Sequence, residues 1–325
     1  MRRLDAKLPL VAIVGPTASG KSELALRIAA RLSTSFSGEI VNCDALQLYR
    51  GFDIGTAKTP VTGRRGIPHH LFDVLDPPIR FSAGDYARAA REVIAGISSR
   101  GHLPLVVGGT GFYLRGLMDG LPVLPGRDDL LRERLSAREQ RRPGALHRLL
   151  TRLEPSAAAR IHLRDVQKVT RALEIRLLTG TTLPAPSTAR PLEGFRLLLI
   201  GLAPERSLLA DAIANRTRQM FEAGLTGGLV EEVRQLLESG LSGEEKPFES
   251  LGYKQALAHL RGQISLEQAQ ASTEIETRQY AKRQLTWFRR DSRIAWFNGF
   301  GSDPKVVEAC LLAIQAYLAD LKGNP

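Results

Sequence analysis

Leu8-Pro9-Leu10-Val11-Ala12-Ile13-Val14 runs straight into Gly15-Pro16-Thr17-Ala18-Ser19-Gly20-Lys21-Ser22. A short apolar strand, then G-x-x-x-x-G-K-S, then a helix start is the context of a phosphate-binding loop. The two glycines let backbone N–H groups close around phosphate oxygens, and the positive end of the next helix adds attraction. Lys21 is placed to reach a terminal phosphate, and Ser22 to ligate Mg²⁺. Gly15, Pro16, Thr17, Ala18, Ser19 and Gly20 form the cradle. A chance glycine-rich turn would explain the glycines but not the lysine and serine behind them. Taken alone, the loop suggests ATP. It does not say whether the chemistry is hydrolysis, phosphoryl transfer or something else.

The pattern that follows is α/β. Lys21–Leu32 reads as a helix with Leu24, Ile28 and Leu32 on one face. Gly38–Asp44 reads as a strand, Phe81–Arg100 as a helix and Leu103–Val107 as a strand ending in Gly108-Gly109-Thr110-Gly111. This alternation predicts a parallel, doubly wound sheet. From about Leu121 the rhythm changes to Leu130–Glu139, Gly144–Leu153 and Asp165–Thr179, three helices with no strand between them. Leu121–Gly126 and Leu183–Ser187, both rich in proline, bracket the block as hinges. Phe195–Leu202 then returns to the sheet, and the rest reads as mostly helical. The expected organisation is an α/β core from residues 1–120 and 195–325, with an all-helical domain inserted at 121–194.

Charge singles out the insert. The chain carries 45 basic and 34 acidic residues, a net of +11; Arg127–Arg190 holds 14 basic against 7 acidic. That concentration favours a polyanion, nucleic acid above all, although a solvated helical surface would also carry such charge. The longest apolar runs are too short to span a bilayer, and the N-terminus lacks the pattern of a signal peptide. Two cysteines, Cys43 and Cys310, suit a reducing compartment and give no zinc motif. A cytoplasmic protein that does not touch a membrane is expected.

Three strand ends should converge, because ligands of such sheets sit at the carboxyl ends of the strands. They carry the phosphate loop, Asp44 and Gly108–Gly111. Asp44 is placed to hold a metal or accept a proton. Many phosphate-loop enzymes end a further strand in a metal-holding aspartate. Here that strand ends in glycines, with Thr110 the hydrogen-bonding side chain of the loop. Those glycines are expected to let a flat or crowded substrate approach the backbone.

Longer segments carry a resemblance. They include Asp44–Lys58, Pro68–Pro77, Gly108–Arg115, Asp165–Glu174, Leu251–Gln255 and Thr277–Arg289. With the phosphate loop, this ordered set resembles the bacterial tRNA dimethylallyltransferase (tRNA isopentenyltransferase) family over almost the whole chain. The resemblance implies transfer of a dimethylallyl group from dimethylallyl diphosphate to N6 of adenosine 37, beside the tRNA anticodon, with release of diphosphate. The loop would then clamp a leaving diphosphate with Mg²⁺. The resemblance makes Asp44 the general base and has Thr110 hold the amine or bridging oxygen. It brings Arg216 to the diphosphate from the opposite side. It gives tRNA contacts to Asp44, Ala45, Leu46, Gln47, Thr110, Arg132, Gln167, Lys168, Val169, Thr170 and Arg171. Arg164, Lys168 and Arg171 are expected on one helix face, with Leu173, Leu177 and Leu178 packed on the other. Arg278, Lys282, Arg283, Arg289 and Arg290 form a second basic cluster, for tRNA or for solvent. Ala45 stands where many members have serine, and Phe112 where leucine is usual.

Other readings stay open at this point. One is an ATP-dependent small-molecule kinase or NTPase. Another is a prenyltransferase for free adenine nucleotides, which would leave the basic insert without a use. A non-catalytic RNA-binding module would leave Lys21, Ser22 and Asp44 unexplained. A partner the size of tRNA does not require a dimer, so a monomer is expected.

Overall fold

A computed structural model describes residues 7–32, 37–181, 190–222 and 228–323. Six parallel strands form one sheet: β1 (Leu8–Val14), β2 (Gly38–Asn42), β3 (His69–His70), β4 (Leu103–Val107), β5 (Phe195–Leu202) and β6 (Ile294–Phe297). Their order is β3-β2-β4-β1-β5-β6. β1 is central, with Val11 opposite Leu105 of β4 and Leu198 of β5. Its run is apolar because both faces are covered.

Helices α1 (Lys21–Leu32) and α12 (Pro304–Gly323) cover one face. Leu24, Ile28, Val307 and Ile314 share a core there with Val11, Ile13, Leu105 and Ile200. Helix α2 (Ala83–Ser99) packs on β2 and β4, and its buried residues lie outside that cluster, which puts it on the other face. It starts where expected because Ser82 and Asp85 cap it reciprocally. Helix α3 (Gly111–Met118), continuous with the Thr110 loop, packs against α2.

The sequence reading left out two strands. β3 is two residues long, and β6 is a four-residue edge strand whose Ala295 is exposed. Neither is long enough to display a period of two.

The chain divides into two compact units, Met1–Met118 with Leu192–Pro325, and Asp119–Pro191. In the first, the Leu192 N–H donates to the Met118 carbonyl at 2.8 Å, so the chain leaves and re-enters at one point. The expected hinge at Leu121–Gly126 has no regular structure, and the one at 183–187 lies outside the described residues. The second unit holds α4 (Asp129–Arg141), α5 (Ala145–Leu153), α6 (Pro155–Ala158) and α7 (Val166–Thr179). They enclose Leu135, Leu146, Leu150, Val169, Ala172 and Leu173. Asp128 caps α4, Asp165 caps α7, and Gly180 ends α7 in the left-handed region at φ 66°.

Towards the C-terminus the first unit adds α8 (Arg206–Phe221), α9 (Gly228–Glu238), α10 (Tyr253–Leu260) and α11 (Leu266–Phe288). Helix α11 packs against α3, α8 and α10, which carries its residues to the ends of β1 and β4.

Candidate active site

Gly15 to Ser22 turn from β1 into α1 at the carboxyl edge of the sheet. Gly20 sits at φ 83°, and a Cβ there would lie 2.9 Å from the Gly301 nitrogen. Only glycine fits that turn without strain. The loop is cross-braced: Ser19 N donates to the Pro16 carbonyl at 3.3 Å, and Gly301 N to the Ser19 carbonyl at 2.9 Å. Lys21 folds back so that Nζ donates to the Pro16 carbonyl at 2.7 Å. The Ser19 hydroxyl is buried with no partner among the described residues, a polar group left inside the phosphate cradle. Ser22 is exposed at the start of α1.

Asp44 lies just past β2. Its backbone N–H donates to Asn42 Oδ1 at 2.8 Å, and its Oδ1 accepts from Leu46 N at 2.9 Å. Thr110 is joined to the same turn, because Ala45 N donates to Thr110 Oγ1 at 3.1 Å and Thr110 N to the Cys43 carbonyl at 3.2 Å. The two residues named as catalytic therefore share one hydrogen-bonded turn. Gln47 donates to the Thr56 carbonyl at 3.0 Å, and Leu46 is half-buried beside it.

Arg216, on α8, reaches the loop as expected: Nη1 donates to Thr17 Oγ1 at 3.2 Å. Lys21, Arg216 and Asp44 lie within one electrostatic field. Burial brings the Lys21 ammonium down to about 8, with Asp44 opposing and Arg216 assisting. Burial also lowers the Arg216 guanidinium, again against Asp44. Two cations held partly out of water beside one carboxylate form a site that gains from an incoming anion. Burial pushes the Cys43 thiol up to about 12, so it is no nucleophile at neutral pH.

Gln284 was missed by the sequence reading. It lies buried on α11, accepting from Thr17 N at 2.8 Å and donating to the Gly109 carbonyl at 2.9 Å. It ties the phosphate loop to the Thr110 loop. This changes the reading of the glycines. A Cβ on Gly109 would lie 2.2 Å from Gln284 Nε2, and one on Gly108 would lie 2.1 Å from the Cys43 carbonyl oxygen. Protein atoms occupy the space that was expected for a substrate. The only sequence signal was a glutamine at helical spacing from Tyr280 and Phe288.

The second unit departs further from expectation. Glu174 is fully buried and holds both Arg132 (2.8 and 2.7 Å) and Arg171, while the Asp128 N–H donates to it at 2.8 Å. Burial raises the Glu174 carboxyl, but these donors outweigh it and hold it at about 2. Lys168 pairs with the capping Asp165. Val169 points into the core at 1% exposure, so its side chain is no RNA contact. Gln167 is exposed and Thr170 half-exposed on α7. Leu177 and Leu178 do not pack inward with Leu173, being 46% and 43% exposed. Arg164 precedes α7 instead of lying on its face.

His69 and His70 each bond a protein oxygen: Nδ1 of His69 bonds the Ile67 carbonyl, and Nε2 of His70 bonds the buried Glu39. Among the described residues no three His, Cys, Asp or Glu are grouped to hold a metal. No described helix is long and apolar enough to cross a membrane.

Comparison with known proteins matches residues 47–291 to the IPP transferase family. The tRNA dimethylallyltransferase of Solibacter usitatus is 54% identical over 314 residues, covering 96% of this chain and 99% of that protein. The Koribacter versatilis protein of the same name is 48% identical, covering 94% and 98%. The crystal structure of the tRNA isopentenylpyrophosphate transferase of Bacillus halodurans superposes with a TM-score of 0.71 at 37% identity, covering 98% of this chain and 99% of that one. A eukaryotic dimethylallyltransferase acting on tRNA superposes at 0.79 with 26% identity, covering 98% and 80%.

Proposed function

We infer the reaction from one premise: the chain belongs to the IPP transferase family. It is a tRNA dimethylallyltransferase. It moves a dimethylallyl group from dimethylallyl diphosphate to N6 of adenosine 37 in the anticodon stem-loop. The observation that carries the reading is the meeting of Lys21 and Arg216 with Asp44 at one sheet edge. An anion clamp and a proton acceptor then stand together at the same strand ends. β4 ends in glycines closed over by Gln284, with no acid there to serve a kinase or NTPase.

In the proposed step, N6 attacks C1 of the dimethylallyl group and the C1–O bond to diphosphate breaks. Asp44 takes the proton that N6 loses. Lys21, Arg216 and the backbone N–H groups at the head of α1 stabilise the charge growing on the departing diphosphate. Thr110, bonded to the Ala45 N–H, holds the carboxylate turn against the amine. Adenosine 37 must leave its stack to reach this edge. Gln47 and Leu46, on the same turn as Asp44, line the way to it. Ala45 contributes its backbone N–H, and lacks the hydroxyl that serine would place there.

The residues present fit Mg²⁺ bound chiefly through the substrate. Ser22 offers one exposed hydroxyl at the head of α1, and the diphosphate supplies the remaining anionic oxygens that such a hard ion prefers. When bound, the ion adds positive charge to the leaving group. Gln167, Lys168, Thr170 and Arg171 on α7, with Arg132, belong to the unit proposed to grip the tRNA. The protein is proposed to act as a monomer in the cytoplasm, where its tRNA substrates are.

Two measurements bear on this. Labelled dimethylallyl diphosphate with Mg²⁺ is expected to label unmodified tRNA, and to leave free AMP and ATP unlabelled. Label on the nucleotides alone, or none on tRNA at any salt concentration, defeats the reading. The Lys21 ammonium sets a second. As pH rises through about 8 the free enzyme loses this charge, so kcat/KM for dimethylallyl diphosphate should fall about tenfold per pH unit. In Lys21→Arg the alkaline limb should vanish, whatever the absolute rate, because guanidinium stays charged. A limb that persists in that variant would remove Lys21 from the clamp.

A further inference from the structure

The basic excess of the helical unit has a definite location. Helices α4 and α5 enclose a groove of about 680 Å³ with Leu130, Ala137, Ala145 and Leu149 as its apolar lining. Around it stand Arg134, Arg138, Arg141, Arg142, Arg148 and Arg152, all exposed. Glu133 is the one acid in the lining. The spacing brings them together: 134, 138 and 141 share one face of α4, Arg142 follows as its C-cap, and 148 and 152 share one face of α5. At 1.5 Å rise per residue the α4 row extends about 10 Å.

What distinguishes these arginines is that the protein does not neutralise them. Arg132 and Arg171 are bound to Glu174, Arg127 to Asp129 and Lys168 to Asp165. Arg134, Arg138, Arg141, Arg142 and Arg152 take part in no side-chain ion pair among the described residues. Arg148 donates weakly to the Pro143 carbonyl at 3.4 Å. Glu139 is close enough to feel Arg148, but its oxygens accept from the Gly144 and Leu146 N–H groups. A helix dipole accounts for Arg138 and Arg141 in the last turn of α4. It does not account for Arg134 in mid-helix, nor for Arg148 in the first turn of α5, where a cation is disfavoured.

We propose that the α4–α5 groove is a binding site for an RNA phosphate backbone, that of the tRNA substrate, and that it supplies most of the electrostatic affinity of this unit. The proposal rests on the functional reading above. It moves the electrostatic weight away from α7, where Arg171 is bound to the buried Glu174 and Lys168 pairs with Asp165. Uncommitted arginines in a row match the repeating charge of a nucleic-acid strand and carry no sequence information.

The test is the triple variant Arg134→Gln, Arg138→Gln, Arg141→Gln. Its control removes the same charge from Arg31, Arg196 and Arg234, each paired with a carboxylate of this chain. Binding of unmodified tRNA is measured across a salt series, and dimethylallyl transfer at saturating tRNA. The groove variant should bind tRNA at least about tenfold more weakly at low salt. The slope of log K against log salt should fall by about 2 to 3, near 0.9 per lost phosphate contact. Its kcat and its affinity for dimethylallyl diphosphate should stay unchanged, and the control should keep the wild-type slope. Wild-type Kd and slope in the groove variant, while wild type transfers the group, overturn the groove alone. Groove-dependent tRNA binding by a wild-type protein that transfers nothing supports the groove and overturns the functional reading.

Discussion

Asp44→Asn should lower kcat for dimethylallyl transfer by about 10²- to 10⁴-fold, the usual contribution of a positioned general base. The affinity for tRNA should hold within about twofold, because an isosteric amide leaves the contact surface intact. Asparagine keeps an oxygen where Oδ1 accepts from Leu46 N, so the turn should survive. What it loses is the charge and the ability to take the N6 proton. A second consequence separates this from a folding defect. Asp44 supports the charged forms of Lys21 and Arg216. Without it the Lys21 ammonium drops further, and the alkaline limb of kcat/KM should move to lower pH. Loss of tRNA binding in step with kcat would instead mark Asp44 as a structural residue.

Glu174→Ala should unfold the helical unit ahead of the rest. The carboxylate is fully buried and takes Arg132, Arg171 and the Asp128 N–H together. Removing one partner from a buried ion network costs about 3–5 kcal/mol, and the partial exposure of both arginines puts this case near the lower end. Limited proteolysis should cut first between residues 119 and 191, and faster than in wild type. An unchanged cleavage pattern and melting curve would show that solvent replaces the carboxylate at little cost. The pH dependence has a definite sign. The folded carboxyl is held at about 2 against an ordinary 4.5, so its stabilisation is complete above about 4.5 and drains away as pH falls toward 2. In Glu174→Ala that acid-sensitive component should be missing.

The parts legible in the sequence were those with local causes. The strand before Gly15, the glycine turn and α1 follow from a few adjacent residues, and α2, read as Phe81–Arg100, runs from Ala83 to Ser99. Asp44 and Thr110 could be placed together because parallel strands deliver their ends to one edge. What stayed hidden depended on residues far apart in the chain. Gln284 meets Thr17 across 267 positions, and no local pattern marks it. Arg132 and Arg171 read as free cations because nothing in one dimension shows that Glu174 is buried between them. Leu177 and Leu178 read as core because helical periodicity does not reveal where a small unit stops having something to pack against.

The single hydrogen bond between Leu192 and Met118 bears on the order of assembly. β5 must find β1 across more than half of the chain. The helical unit needs only its own sequence, and within it a Cβ on Gly120 would lie 2.2 Å from the Arg190 carbonyl oxygen, so its two ends are neighbours. Once it has condensed, the long excursion from α3 to β5 behaves as a short tether. Closing a loop costs entropy that grows with its effective length, so local folding of the insert prepays part of the search that joins β5 to the sheet.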